Sequence, residues 1–255
     1  MFDIAIFLVL LVCLALIGLL LFKIRRIHVA TYELIDKTRD IHLETRHLYA
    51  QIQAFHELTA LLKMAHPLPT LRGWAASPDF LLIVARHALK EAPKTIVECS
   101  CGASTIVLAR CAQLNRAGHV FSLEHDPKFA AITRNNLIDA GLSEWATVLD
   151  APLKEMNPHD ERKWYSLDMM TDPGQIEMLV VDGPPTHINP CARYPAIPML
   201  KDRLANRCHV FLDDADRSDE KETVRKWLQD AGDSSLTVDY PSAEKGCAHL
   251  IYDAS

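Results

Sequence analysis

The chain has 255 residues, of which 49% are apolar and 24% charged, and this usage is typical of a globular protein with one large domain plus appendages. A net charge of −6 argues against the basic surface of a nucleic-acid-binding protein, so we expect no nucleic-acid partner. Seven scattered cysteines without a CxxC pair indicate reduced thiols in a cytoplasmic compartment and exclude a disulfide framework.

Residues 4–22 contain no charged side chain. At ~1.5 Å per residue this stretch spans roughly 28 Å, close to the hydrocarbon thickness of a bilayer. Asp3 precedes the run, whereas Lys23, Arg25 and Arg26 follow it; a cleaved signal peptide, the main alternative, would carry its positive charge first. Residues 1–26 are therefore predicted to be a single-pass membrane anchor. The positive-inside rule then places the C-terminal domain in the cytoplasm.

A strict seven-residue repeat of apolar side chains follows the anchor. Its members are Ile27, Leu34, Ile41, Leu48, Phe55 and Leu62. No Gly or Pro interrupts residues 27–65, so one amphipathic helix is predicted over 27–66, ending before Pro67. The repeat favours a parallel coiled coil that joins copies of the chain through residues 27–62. The positions four residues after these members are mostly threonine, which packs less well in a coiled coil than isoleucine or leucine. The alternative interpretation is therefore a helix that lies on its own domain or on the membrane surface.

Residues 67–255 form the third predicted domain. A helix is expected from Pro78, with Ser77 as its N-cap. Beyond Pro93, short apolar runs alternate with amphipathic stretches. The candidate strands are residues 95–99, 119–124, 145–149, 176–182, 208–213, 235–240 and 246–252, and the candidate helices are 104–114, 127–140, 195–205 and 218–231. This alternation predicts a doubly wound, Rossmann-like α/β sheet with a C-terminal antiparallel hairpin, and ligands beyond the carboxyl ends of its strands.

The first predicted strand ends at Glu98 and is followed by the small residues Ser100, Gly102 and Ser104 at the start of a helix. Small residues allow the backbone to approach a ligand, and a helix N-terminus offers free N–H groups. The second strand ends in Glu124, and an acid about twenty residues beyond such a loop commonly binds a ribose diol. The dehydrogenase loop GxGxxG, the P-loop and the hydrolase elbow GxSxG are all absent.

Asp150 and Ala151 follow the third predicted strand. Together with the loop after the first strand and with Glu124, they make the chain resemble class I S-adenosylmethionine (SAM)-dependent methyltransferases. Their first-strand loop reads roughly E-x-G-x-G, often followed by S-T. The resemblance implies SAM as cofactor, held by a loop of the residues Glu98, Ser100, Gly102 and Ser104. It also implies that Glu124 binds the ribose hydroxyls and that Asp150, followed by Ala151, lies near the adenine amine. The sequence departs from the pattern at Ser100, where the first loop glycine is expected.

Three acids end the next two strands: Asp182 ends one, and Asp213 and Asp214 end the other. Neighbouring parallel strands bring them to one crevice, where they would repel one another unless protons or a cation offset the charge. A hard ion such as Mg²⁺ suits oxygen ligands. The pattern resembles metal-dependent O-methyltransferases, which implies a metal on these three acids that binds a substrate hydroxyl and lowers its pKa. Alternatively, the Asp213–Asp214 pair caps the following helix.

Asp182 and His187 are the candidate general bases, and residues 190–198, with Arg193 and Tyr194, are expected to shape the acceptor pocket. The sequence therefore predicts a membrane-anchored SAM-dependent methyltransferase. Its acceptor would be a hydroxyl oxygen of a small molecule, sugar or glycan. The alternative is a catalytically inactive methyltransferase fold that serves as a membrane scaffold and oligomerises through its coiled coil.

Overall fold

The computed structural model describes residues 2–64, 66–71, 73–157, 160–170, 172–231 and 236–254. The chain divides into two compact units, Met1–Ala50 and Gln51–Ser255. The first unit is part of a continuous helix α1 (Phe2–Leu62), and the apolar side chains described there are exposed. Within α1, the segment Ile6–Arg39 is long and apolar enough to cross a membrane, and its apolar 18-residue window has a mean hydropathy of 3.0.

Helix α1 ends four residues earlier than predicted, because Lys63 takes a left-handed conformation with φ of 46°. Its last turns belong to the second unit, where Leu58 and Leu62 are fully buried in the core. The Leu62 carbonyl also accepts a hydrogen bond of 2.9 Å from Arg110 Nε. The end of the heptad repeat is therefore part of the core of the α/β domain.

The described residues form nine strands, of which seven belong to the main sheet and two form a separate hairpin. The strands are β1 (Thr95–Cys99), β2 (His119–Glu124), β3 (Ala146–Asp150), β4 (Leu153–Asn157), β5 (Asp160–Tyr165), β6 (Ile176–Val181), β7 (Leu204–Asp213), β8 (Leu236–Asp239) and β9 (Cys247–Asp253). The helices after α1 are α2 (Pro78–Glu91), α3 (Ala103–Asn115), α4 (Pro127–Asp139), α5 (Ala196–Leu200) and α6 (Ser218–Ala231).

The main sheet has seven strands in the order β3-β2-β1-β6-β7-β9-β8. Strands β3, β2, β1, β6 and β7 pair in parallel, whereas β9 pairs antiparallel with both β7 and β8. This confirms the predicted doubly wound, Rossmann-like sheet and its C-terminal antiparallel hairpin. Because the parallel strands end along one edge of the sheet, the residues that follow β1, β2, β6 and β7 lie side by side there.

The core lies on both faces of the sheet. Alternate residues of β1 reach opposite sides, with Ile96 in the cluster beside α2 and α3, and Val97 and Cys99 in the cluster beside α5 and α6. Burial on both faces explains why the parallel strands are continuous apolar runs. The buried sheet provides a rigid base for the polar side chains at its edge.

Two segments differ from the sequence prediction. The helix expected over 195–205 is only one turn of α-helix plus a short 3₁₀ turn at Lys201–Arg203, because β7 already begins at Leu204, where it pairs with Ile176 of β6. A hairpin of β4 and β5 was not predicted, since its charged sequence shows little apolar alternation. The predicted strand 235–240 is observed as β8, and residue 235 lies outside the described residues.

Candidate active site

The loop between β1 and α3 is braced by a buried carboxylate. Glu98 Oε2 accepts hydrogen bonds from Thr105 Oγ1 at 2.6 Å and Ser122 Oγ at 2.7 Å. Thr105 Oγ1 in turn accepts from the Gly102 N–H at 3.0 Å. Burial raises the pKa of Glu98, and hydrogen bonds from Ser104, Thr105 and Ser122 oppose that rise. Glu98 is fully buried, so it holds the shape of the loop from beneath.

Two residues of this loop have a backbone that favours glycine. Gly102 has φ of 138°, and Ser100, at the position where a glycine was expected, has φ of 120°. A side chain at such a torsion is strained by roughly 1–3 kcal/mol, and surrounding contacts must hold it. The Ser100 N–H provides one of them, since it donates to the Leu123 carbonyl at 3.0 Å. The loop therefore forms despite the substitution.

Glu124 ends β2 and is only 5% exposed. Its Oε1 accepts a hydrogen bond of 2.8 Å from the Asp126 N–H and lies 3.1 Å from Nδ1 of His125. Burial raises the pKa of Glu124, but hydrogen bonds from His125, the Asp126 N–H and Cys101 outweigh it, so the net shift is downward. Glu124 is therefore an ionised acceptor at neutral pH.

Glu124 opens onto a cavity of about 270 Å³ at the carboxyl edge of the sheet. The cavity is lined by Trp74, Ser100, Cys101, Glu124, His125, Asp126, Phe129, Tyr165, Asp182, Gly183, Pro185 and His187. A second cavity of about 240 Å³ lies beside it, and its lining includes Gly102, Ser104 and Asp182. The structure thus brings the β1 loop, Glu124 and Asp182 together around one space, as the sequence predicts.

Asp150 and Ala151 lie outside these two cavities. The Asp150 side chain is 59% exposed and pairs with Arg134 at 2.9 Å. Ala151 is buried, and its N–H donates to the Glu124 carbonyl at 2.7 Å. Ala151 therefore fixes the backbone behind Glu124, while the placement of Asp150 beside an adenine amine stays a prediction.

Asp182, Asp213 and Asp214 converge as predicted, with one carboxylate oxygen from each lying within 4.8 Å of the others. A guanidinium group lies among them. Nη2 of Arg193 donates to Asp182 Oδ1 at 3.2 Å and to Asp214 Oδ2 at 3.0 Å, and its Nη1 donates to the Asp213 carbonyl at 2.8 Å. Glu220 lies 3.5 Å from Arg193 Nε. Arg193 is thus the internal cation of four acids.

The sequence predicts Arg193 only as part of an acceptor pocket. Its pairing with the acids at the carboxyl ends of β6 and β7 was not predicted, because the local sequence around Arg193 carries no signal of it. The side chain is 4% exposed. The capping alternative for the acid pair receives little support, since Asp213 Oδ1 accepts from the Asp214 N–H and Asp214 Oδ2 pairs with Arg193 and with Arg217 at 2.8 Å. Asp214 Oδ1 is buried without a hydrogen-bond partner among the described residues.

Crowding of like charges shapes the titration of this cluster. Burial, together with Asp214 and Glu98, raises the pKa of Asp182 to about 7, although Arg193 lowers it. Burial and the neighbouring acids Asp182 and Asp214 raise the pKa of Asp213 well above its ordinary value. Four acids face Arg193 and Arg217, and Lys245 also lowers the pKa of Asp182, so one negative charge is left for a proton or a further cation to offset.

The rim and floor of the 270 Å³ cavity come from loops. His187 is exposed at the rim, where its ring lies 6.3 Å from that of Trp74. Tyr165 is buried at the end of β5, and a Cβ added at Gly183 would lie 2.2 Å from its hydroxyl. The β4–β5 hairpin therefore supplies a packed wall of the cavity through Tyr165.

The fold and site together define a Rossmann-like domain with a ligand cavity at the carboxyl ends of its strands. Residues 97–215 match a family model described as a methyltransferase domain. This match confirms the methyltransferase resemblance that the loop and its acids predict. No curated protein sequence matches the chain significantly.

Solved methyltransferases share this fold. The Podospora anserina methyltransferase PaMTH1 bound to SAH is 13% identical, with a TM-score of 0.56 over 78% of this chain and 88% of that one. An O-methyltransferase from Bacillus cereus in complex with SAH is 16% identical, with a TM-score of 0.55 over 79% and 91%. The O-methyltransferase TomG from Streptomyces achromogenes, in complex with SAM, is 17% identical, with a TM-score of 0.51 over 81% and 90%. At these identities the likeness establishes the fold.

Proposed function

We propose that the chain transfers a methyl group from SAM to a hydroxyl oxygen of a small molecule, sugar or glycan. The observation that carries this proposal is that Glu124 and Asp182 line one cavity, so a cofactor-binding carboxylate and a candidate base face the same space. Bound SAM supplies an electrophilic methyl group. Alignment of the acceptor oxygen with that methyl is mainly a matter of positioning, and positioning can supply several kcal/mol of rate acceleration.

The proposed cofactor site consists of the β1 loop and the end of β2. Ser100, Gly102 and Ser104 present small side chains at the start of α3, where unpaired N–H groups favour a carboxylate. Glu124 is ionised, nearly buried and open to the cavity, so both hydroxyls of a ribose can donate to it. The remaining cofactor prediction, Asp150 beside the adenine, awaits a structure with SAM.

We assign the proton transfer to Asp182. Its carboxylate lines the cavity and has a pKa of about 7, which suits a base that accepts a hydroxyl proton near neutral pH. Arg193 holds Asp182 Oδ1, which fixes the direction of the carboxylate. His187 is the second candidate, because it lies at the rim of the same cavity.

The divalent ion predicted from the sequence, Mg²⁺ on Asp182, Asp213 and Asp214, competes with Arg193 for the same oxygens. The orphaned Asp214 Oδ1 favours a cation, but two of the three carboxylates already bind the guanidinium. These three carboxylates do not fit a metal ion while Arg193 stays in place, so the proposed methyl transfer does not use a metal. Activity that survives EDTA would support Arg193 as the cation of this cluster, whereas activity that requires Mg²⁺ would support the metal site predicted from the sequence.

Calorimetry with SAM, followed by transfer of labelled methyl groups to a panel of hydroxyl acceptors, tests the proposed function. The wild-type chain should bind SAM and label at least one acceptor, and Glu124→Gln should bind SAM more weakly and label the acceptor more slowly. Glu144→Gln, an exposed glutamate away from the cavity, is the matched control. Absence of SAM binding in the wild type would favour the alternative, an inactive scaffold, for which the strained Ser100 is the supporting observation.

We further propose that residues 1–26 anchor the chain in a membrane with the methyltransferase domain on the cytoplasmic side. The exposed apolar surface of this helix and the basic residues after it support the proposal. The acceptor would then be made at the inner membrane face, as a lipid-linked glycan is. The chain should stay in the membrane pellet after an alkaline wash, and Leu11→Arg with Leu14→Arg should release it. Lys37→Arg, outside the apolar run, should not.

Of the range 27–62 predicted to join copies of the chain, Leu58 and Leu62 are buried in the core of the α/β domain, so we propose self-association through its exposed part, residues 27–48. Ile27, Leu34 and Ile41 are each more than 60% exposed, and the threonines four residues later donate their hydroxyls to these residues' carbonyls. The threonine hydroxyls are thus hydrogen-bonded within the helix, and the threonine methyl groups can pack against a second helix. Chemical crosslinking in detergent should give oligomers that Leu34→Asp with Ile41→Asp abolishes. Asp36→Ser, at an exposed position on the side of the helix opposite the seam, should leave them intact.

A further inference from the structure

Three histidines from three different elements meet on the face of the sheet covered by α2. His87 comes from α2, His209 from β7 and His249 from β9. One ring nitrogen from each lies within 4.8 Å of the others, and Nδ1 of His209 is 3.0 Å from Nε2 of His249. His209 precedes Asp213 by four residues on the same strand, about 13 Å at the rise of a strand, so this cluster is separate from the acids of the active site.

The register of the sheet fixes two of these histidines. His249 lies directly opposite Phe211 on the neighbouring strand, and their rings stack at 4.3 Å with an angle of 3° between planes. His209 lies two residues before Phe211 and therefore on the same face. The ring of His87 comes down from α2 to 4.3 Å from that of His209 and 5.5 Å from that of His249. Packing thus holds all three rings around one point.

The surroundings of these three imidazoles favour their neutral form, which is the form that binds metal ions. Burial, followed by the repulsion of His209 and His249, lowers the pKa of His87 to about 4. Burial also lowers the pKa of His209 and of His249. Neutral imidazole is the commonest protein ligand for transition metals.

The charges around the cluster are mixed. Glu91 lies one turn beyond His87 on α2 and interacts electrostatically with both His87 and His209, and Asp239 acts on His249 from β8. Lys90 and Arg207 act in the opposite sense. The two acids provide anionic charge near an ion, and Glu91, one turn beyond His87, is the candidate for a fourth ligand.

We propose that His87, His209 and His249 form a binding site for Zn²⁺ or a chemically similar transition-metal ion. Three imidazole nitrogens suit zinc, with bonds of about 2.0–2.1 Å and hence ligand separations of about 3.3 Å in a tetrahedral site. The His209–His249 pair, at 3.0 Å, is already close to that spacing, and a ring nitrogen of His87 lies within 4.8 Å of both. A bound ion would link α2 to β7 and β9, far from the methyl-transfer cavity.

The test uses the full-length chain in detergent, stripped of metals and titrated with Co²⁺, whose visible spectrum reports four-coordinate nitrogen sites. One Co²⁺ should bind per chain without a thiolate charge-transfer band, and Zn²⁺ should displace it. His87→Gln and His249→Gln should each weaken binding at least ~10-fold, because each removes one of three ligands, and the double variant should lose it. His119→Gln, a half-buried histidine outside the cluster, is the matched control.

A thermal readout keeps the proposal testable if a variant folds poorly. Zn²⁺ should raise the Tm of the wild type and of His119→Gln but not that of the double variant, because a ligand that binds only the folded state stabilises it. A wild type that binds no Co²⁺, or a double variant that keeps the same bands, would overturn the site. SAM affinity measured in parallel should be equal in all these variants, which separates this site from the proposed methyl transfer.

Discussion

Glu124 and Asp182 face the same cavity although they follow strands that do not pair with each other. Strands β2 and β6 flank β1 in the sheet, so their carboxyl ends lie on either side of the β1 loop. The first prediction concerns this arrangement. Glu124→Gln should weaken SAM binding by about 10- to 100-fold, because a neutral amide accepts hydrogen bonds from a diol less strongly than a carboxylate does. Calorimetry measures the change, and an affinity equal to that of wild type would contradict the ribose assignment.

The second prediction concerns the strained serine of the β1 loop. Ser100→Gly should raise the free energy of unfolding by about 1 kcal/mol, since glycine adopts φ of 120° without the cost that a Cβ imposes. Ser100→Ala is the control, because it removes the hydroxyl and keeps the strain. Chemical denaturation compares the three chains. If the alanine variant gained as much stability as the glycine variant, the hydroxyl and not the torsion would be the cause.

Some residues of this site could be predicted from the sequence and others could not, depending on whether their local sequence pattern indicates their position in the fold. Strand ends are visible in a sequence because a buried parallel strand is a continuous apolar run, and Glu98, Glu124 and Asp182 end such runs. Arg193 and Tyr165 lie in irregular or charged segments. Their burial depends on contacts with distant residues, such as Asp182 and Gly183, which no local pattern encodes. The sheet and its terminal acids were therefore predictable, and the groups that enclose them were not.

The third prediction concerns the buried guanidinium. Arg193→Met should destabilise the fold by about 3–5 kcal/mol at pH 8, because it leaves Asp182 and Asp214 buried without their cation. Removal of the arginine raises the pKa of Asp182 and that of Asp213 further, because Arg193 lowers both. The folded state of the variant then holds protons more tightly than the unfolded chain does, so its stability falls as pH rises and the deficit is smaller at pH 5.

Arg217→Ala is the matched control for this variant, since Arg217 also pairs with Asp214 but is 49% exposed. A solvent-exposed partner contributes under about 1 kcal/mol, and urea denaturation at both pH values distinguishes the two variants. Equal losses in Arg193→Met and Arg217→Ala would show that Arg193 is not the principal cation of the cluster.

The fourth prediction is a packing test of the cavity wall. Gly183→Ala should impair folding or SAM binding, because its Cβ would lie 2.2 Å from the Tyr165 hydroxyl and 3.2 Å from the Cys99 carbonyl oxygen. Tyr165→Phe removes the hydroxyl and should partly restore the double variant, with a coupling energy of the order of 1 kcal/mol. A double-mutant cycle on the Tm measures this coupling. Strictly additive effects would place the clash elsewhere.

The fifth prediction concerns the base. If Asp182 accepts the hydroxyl proton, kcat/KM should rise with pH through about 7 and level off above it, because Asp182 is protonated and inactive below its raised pKa. Asp182→Asn should lower kcat by about 10²–10⁴-fold, since proton transfer by a positioned group contributes about that much. It should also abolish the ascending limb. A His187→Gln variant that loses the limb while Asp182→Asn keeps it would transfer the role to His187, whose ring lies at the rim of the same cavity.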